Sequence, residues 1–225
     1  MKIEALTRKS EKDLSEQHRL IGFFDILGFR NFVLDNPLND IIDTMHKIFD
    51  AAFRTTIRHD IRKIGYDGFF LKSRLGLYDK YKRRYVLMPV LSLFEKTTKF
   101  KFVIMSDSIV IYSPPLKSTD KIFPTQVNTL IRISRNLITH FFLMQIPIRG
   151  SLSFGEYYAD PENAIYCGKG LIGAYNETEN QNWMGITITK SLENYLSPLL
   201  LTLELYLSKT RGLKAHLSKI KFPEH

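Results

Sequence analysis

Apolar positions along the chain switch between two periods, and the switches mark the elements. Leu20–Leu27 reads LIGFFDIL, a continuous apolar run broken by one acid, Asp25, and closed by Gly28. A short apolar run bounded by glycine predicts a strand buried on both faces. Beyond it Pro37, Ile41, Ile42, Met45, Ile48, Phe49 and Phe53 recur at helical spacing, with Asp35 or Asn36 as cap and Pro37 in the first turn. Val86–Phe94 fits a short helix or a strand. Phe100–Tyr112 (FKFVIMSDSIVIY) holds two β-rich runs around Ser106-Asp107-Ser108, which predicts a hairpin with Asp107 at its tip. A long helical pattern over Ile122–Met144 precedes a strand over Ile146–Tyr157 that contains Arg149 and Gly150. Ile165–Gly168 then leads into a helix over Leu171–Glu179, Met184–Ile188 into a strand, Ser191–Tyr195 into a short helix, and Leu199–Tyr206 into an edge strand.

The order β-α-(insert)-β-β-α-β-α-β contains a βαββαβ core. That core predicts an α+β fold, the ferredoxin-like or palm arrangement, with an antiparallel sheet and helices on one face. No internal repeat or linker-like stretch interrupts it. Residues 1–19 read as a polar lead-in and 20–225 as a single domain with a basic insert at about 58–98.

Composition changes this picture in three places. One cysteine, Cys167, excludes a disulfide framework and any cysteine-based zinc site, and the six histidines lack metal-ligand spacing. No targeting or membrane-spanning stretch is evident, so a soluble, cytoplasmic protein without a membrane partner is expected. The net charge of +9 favours anionic partners. Arg58–Tyr85 carries nine Lys/Arg against three Asp, or +6 of that total, interleaved with tyrosines. Such a stretch can bind single-stranded nucleic acid, but no recognised module accompanies it, and a solvated insert is the simpler reading.

Asp25 and Asp107 carry the chemistry. In a βαββαβ sheet the first strand neighbours the hairpin, so the two carboxylates can converge at one edge. Singly, Asp25 reads as a buried acid held by backbone amides and Asp107 as a turn residue. Together, about 5 Å apart, they would repel by roughly 3 kcal/mol unless a cation sat between them. Hard oxygen ligands of this kind suit Mg²⁺ or Mn²⁺, which in turn hold phosphates.

The segment IGFFDILGF (Ile21–Phe29) resembles the F-x-D-I-x-G-F signature of class III nucleotidyl cyclase catalytic domains at Phe23, Asp25, Ile26, Gly28 and Phe29. SDSIVIYS (Ser106–Ser113) resembles that family's second metal segment, with Ser106 in place of a glycine. IRGSLSFGE (Ile148–Glu156) is similar to its R-x-G-x-x-x-G strand, and GKGLIGAYNE (Gly168–Glu177) stands where the family has a G-x-x-V-N-x-A-x-R helix. The resemblance implies a homodimer with sites at the subunit interface. Asp25, Asp107 and the Ile26 carbonyl would hold two divalent ions, Mn²⁺ or Mg²⁺, and Gly28, Phe29 and Ser106 would lie against a nucleoside triphosphate. The family's ribose-positioning Asn and transition-state Arg fall on Ile172 and Asn176, so another cation is required. Arg149 and Lys169 are the candidates, Lys169 as a phosphate ligand at a helix start. A stand-alone chain with an intact first motif and a degenerate last one looks like the pyrimidine cyclases of Pycsar anti-phage systems, which make cyclic CMP or cyclic UMP. A catalytically degenerate domain that binds a nucleotide or a partner is the alternative, and nucleic-acid binding through the basic insert is a third.

Overall fold

A computed structural model describes residues 17–63, 87–117 and 119–197. Most of the lead-in, the tyrosine-rich part of the basic insert and the expected edge strand over Leu199–Tyr206 lie outside the described residues.

The first apolar run forms β1 (His18–Ile26), and its side chains alternate between two cores. Leu20, Phe24 and Ile26 enter the larger core, while Ile21 and Phe23 enter a smaller one on the opposite face. Apolar side chains on both faces require cover on both faces, which puts β1 in the middle of the sheet. It pairs antiparallel with β3 (Ser108–Tyr112) on one side and with β4 (Ile148–Glu156) on the other. β2 (Lys101–Met105) adds outside β3 through the hairpin, and β7 (Gly185–Ile188) adds parallel to β4, giving the order β2-β3-β1-β4-β7. The first four strands reproduce the split βαβ arrangement expected of a βαββαβ core. β5 (Tyr158–Asp160) and β6 (Ile165–Cys167) form a separate hairpin that the hydrophobic pattern did not indicate.

The helices take both faces. A short α1 (Phe29–Asp35) follows β1 and is succeeded by α2 (Leu38–Lys63), ten residues longer at its end than the apolar spacing to Phe53 indicates. The ambiguous segment is helical as α3 (Leu87–Thr98), and α4 (Phe123–Leu143) matches its expected span closely. α2, α3 and α4 cover the larger core, where Phe53 lies 4.4 Å from Phe94 and 4.9 Å from Phe102 between ring centroids. α5 (Lys169–Glu179) instead packs on the other face, its Ala174 buried with Ile21, Phe23, Val110 and Tyr112. Helices on a single face were expected. The correction follows from β1, since Ile21 and Phe23 need their own cover. α6 (residues 190–197) ends the described chain.

His140, in the last turn of α4, places Nε2 3.3 Å from Thr55 Oγ1 on α2. Burial holds its pKa below the usual 6.5. The folded chain therefore binds fewer protons than the unfolded one, and stability falls as pH drops through the unfolded value. The urea midpoint is expected to be lower at about pH 5.5 than at about pH 7.5, and His140→Gln is expected to shrink that difference.

Candidate functional site

β1 carries Asp25 at its penultimate position, where the strand leaves the sheet. The register sets Asp25 opposite Ser108 on β3 and opposite Arg149 on β4. Asp107 is the residue before Ser108, in the two-residue turn between β2 and β3, and its carbonyl accepts the Ile26 N–H at 2.9 Å. The two aspartates thus reach the same end of the sheet from strands distant in sequence. Ser106, the other turn residue, has a φ of 55°, a left-handed conformation that favours glycine. It stands where the family pattern has one. Ser108 Oγ lies 3.4 Å from Asp107 Oδ1, and Asp107 is exposed.

Arg149 is placed differently from a free substrate ligand. Its Nε and Nη2 both lie 2.9 Å from Asp25 Oδ2, and Nη2 also lies 2.7 Å from Glu179 Oε1. Nη1 donates to the carbonyls of Gln181 at 2.9 Å and Glu179 at 3.3 Å. All the directions of the guanidinium fork are thereby taken by protein. Asp25 and Arg149 are largely buried, at 17% and 15% side-chain exposure, so removing either would leave the other's charge without a partner in a desolvated setting. Lysine keeps the charge but loses the fork. Arg149→Lys is expected to cost about 1–2 kcal/mol in urea unfolding, because carbonyls at the end of α5 lose their donors.

Glu179 and Gln181 escaped the reading of the sequence. Nothing in their spacing marks them, and only the docking of α5 against β4 brings them to Arg149.

α5 runs back along β4, with Gly170 against Gly155 at one end and Glu179 against Arg149 at the other. Asn176 sits on its exposed side less than one turn before Glu179, toward the aspartate end. Lys169 sits at the opposite end, 83% exposed and 3.1 Å from Glu156. Asp25 and Gly155 face register positions six residues apart, roughly 20 Å along the strand. Within one chain, therefore, Lys169 and Asp25 do not share a site. Gly28 turns the chain into α1 with a φ of 70°, and Phe29 packs at the margin of the larger core beside Phe32. Tyr175, 48% exposed, meets Phe23 edge-on at 5.5 Å, and Tyr166 packs on the smaller core. Trp183 is 54% exposed, and its ring lies over Gly185.

The donor set fits a hard divalent cation in part. Both guanidinium contacts fall on Asp25 Oδ2, which leaves Oδ1 without a hydrogen bond among the described residues, and Asp107 adds a second, accessible carboxylate. Two carboxylates with room for water and phosphate oxygens suit Mg²⁺ or Mn²⁺. No cluster of three or more His, Cys, Asp or Glu suited to a metal occurs among the described residues.

The strand order defines an α+β protein of the βαββαβ class, with two aspartates at the end of the central strand. Among solved structures the chain is similar to the catalytic core of a rhodopsin-guanylyl cyclase with converted specificity in complex with ATPαS (12% identity, 80% of this chain and 81% of that one, TM-score 0.49). It is also similar to the guanylate cyclase domain of RhGC from Catenaria anguillulae in complex with GTP (10% identity, 80% and 82%, TM-score 0.43). A further similar structure is the non-canonical dimeric guanylyl cyclase domain of the RhoGC fusion protein from Blastocladiella emersonii (12% identity, 81% and 84%, TM-score 0.46). No family model and no curated protein matches the chain. No helix among the described residues is long and apolar enough to cross a membrane.

Proposed function

We propose that this protein is a metal-dependent nucleotidyl cyclase that converts a pyrimidine nucleoside triphosphate, UTP or CTP, to its 3′,5′-cyclic monophosphate and pyrophosphate, as a signal in anti-phage defence. The observation that carries the chemistry is the meeting of Asp25 and Asp107 at the end of β1, on the segments that resemble the cyclase metal motifs. The pyrimidine specificity and the defence role rest on the combination of an intact first motif with a degenerate last one.

In this reading the ribose 3′-hydroxyl gives up its proton to solvent as its oxygen attacks the α-phosphorus, the bond from the α-phosphorus to the oxygen bridging to the β-phosphate breaks, and pyrophosphate leaves with that electron pair. Asp25 Oδ1, the Asp107 carboxylate and the Ile26 carbonyl would hold Mg²⁺ or Mn²⁺, which when bound supplies positive charge to the attacking and leaving oxygens. Arg149 is a positioning residue: its fork on Oδ2 holds the Asp25 carboxylate in one orientation. Gly28, Phe29 and Ser106 border the substrate. Lys169 acts on the site of the second copy in a homodimer, because it cannot reach the aspartates of its own chain, while Asn176, toward the aspartate end of α5, borders the substrate.

The test is to incubate the purified chain with each of the four ribonucleoside triphosphates and Mn²⁺ or Mg²⁺, and to separate the products by chromatography. A cyclic pyrimidine monophosphate is expected, and turnover of none of the four overturns the reading. One observation favours a second reading, a degenerate domain that binds a nucleotide or partner without turnover. Ile172 lies exposed on α5 where the family pattern has a polar ligand, and Arg149 is wholly engaged by protein. Metal-dependent triphosphate binding without product would establish it. Nucleic-acid binding through the basic insert concerns segments largely outside the described residues.

A further inference from the structure

At the end of the sheet remote from the aspartates, Arg19, Lys99 and Lys101 line a cavity of about 240 Å³ with Tyr112, Ser113 and Ala159. Arg19 precedes Asp25 by six residues on β1, so roughly 20 Å of strand separates this cavity from the carboxylates.

Arg19 is the unusual member. Its Nη1 donates to the Ser113 carbonyl at 2.9 Å, its Nε to the Tyr157 carbonyl at 3.2 Å, and its guanidinium lies 5.6 Å from the centre of the Tyr112 ring. Each of these partners is neutral. The half-buried charge has no carboxylate partner among the described residues, and burial pulls its pKa below the ordinary value. A desolvated cation without a counter-ion is costly, and an anion in the cavity would offset that cost.

Lys99 and Lys101 add two more cations, both exposed and neither ion-paired among the described residues. Lys99 stands just beyond α3 with a φ of 66°, at a left-handed helix-ending position usually taken by glycine or asparagine. No acid lines the cavity itself, and Glu95 on α3 acts electrostatically on the lining residue Tyr112 from outside it. Asp160, between the lining residues Ala159 and Pro161, is turned into its own loop, accepting from the Glu162 and Asn163 amides and the Asn163 side chain.

We propose that this cavity is an anion site for the phosphate group of a small phosphorylated ligand, with Arg19 as the fixed fork and Lys99 and Lys101 as mobile point charges. The volume lies just below the range of about 300–1,000 Å³ usual for sites that enclose whole drug-sized ligands, and suits one or two phosphate groups.

The full chain would be titrated with pyrophosphate by calorimetry in buffer containing a metal chelator, so that no metal-dependent binding at the aspartates contributes. Saturable binding is expected. The double variant Lys99→Gln/Lys101→Gln, changed only at exposed positions, is expected to weaken it by about tenfold or more, while Asp107→Asn binds like the parent. The proposal is overturned by no saturable binding up to about 10 mM, by equal binding in the double variant, or by loss of binding in Asp107→Asn. The result is independent of cyclase turnover, which requires metal and the other end of the sheet.

Discussion

Asp107→Asn is expected to reduce triphosphate turnover at least about 100-fold while leaving the unfolding free energy within about 0.5 kcal/mol of the parent. Asp107 sits exposed in a two-residue turn, and among the described residues its carboxylate makes only the long contact with Ser108 Oγ. The backbone carbonyl that accepts from Ile26 is unchanged by the substitution, so the hairpin keeps its tie to β1. An amide of the same shape removes a formal charge and weakens a hard-cation ligand, and in the proposed mechanism that charge is what the chemistry needs. Asp25→Asn is the less clean experiment, because it also strips Arg149 of its partner in a largely buried setting. The measurements are initial rates by product chromatography and urea unfolding followed by circular dichroism. Turnover of Asp107→Asn within a few-fold of the parent would remove Asp107 from the mechanism.

Gly168→Ala is expected to destabilise the fold by more than about 3 kcal/mol, or to abolish accumulation of folded chain, whereas Gly28→Ala costs about 1 kcal/mol. Both glycines precede helices and both have positive φ, at 151° and 70°. They differ in their surroundings. A Cβ on Gly168 would stand 2.2 Å from the Glu156 carbonyl oxygen and 2.7 Å from the Tyr157 Cα, and neither backbone atom can rotate away. A Cβ on Gly28 would meet nothing within 4 Å, so only the left-handed conformation is charged for. Gly168 sets the start of α5 hard against the end of β4, and the rest of α5 depends on that seating. Equal urea midpoints for the two variants would show that α5 can shift off the sheet without loss.

Most of the strand and helix pattern was legible because burial has a period. LIGFFDIL read as a strand buried on both faces, and the runs on either side of Ser106-Asp107 read as a hairpin. The same pattern made the convergence of Asp25 and Asp107 an expectation from topology. The end of α2 was not legible, because apolar spacing fades after Phe53 while the helix continues to Lys63. β5 and β6 were missed because a three-residue strand is shorter than any period that could reveal it.

What the sequence by itself determined, then, is the element order, the βαββαβ core and the two acids at its edge, since each is encoded by neighbours a few residues apart. Only the tertiary structure decided which side chains surround those acids. Arg149 became a clamp on Asp25, Glu179 and Gln181 became its partners, and Lys169 was carried to the far end of β4. Those outcomes depend on which face α5 covers and in which direction it runs. Both were settled by packing against Ile21 and Phe23 and by the close approach of Gly170 to Gly155, contacts between residues far apart in the chain.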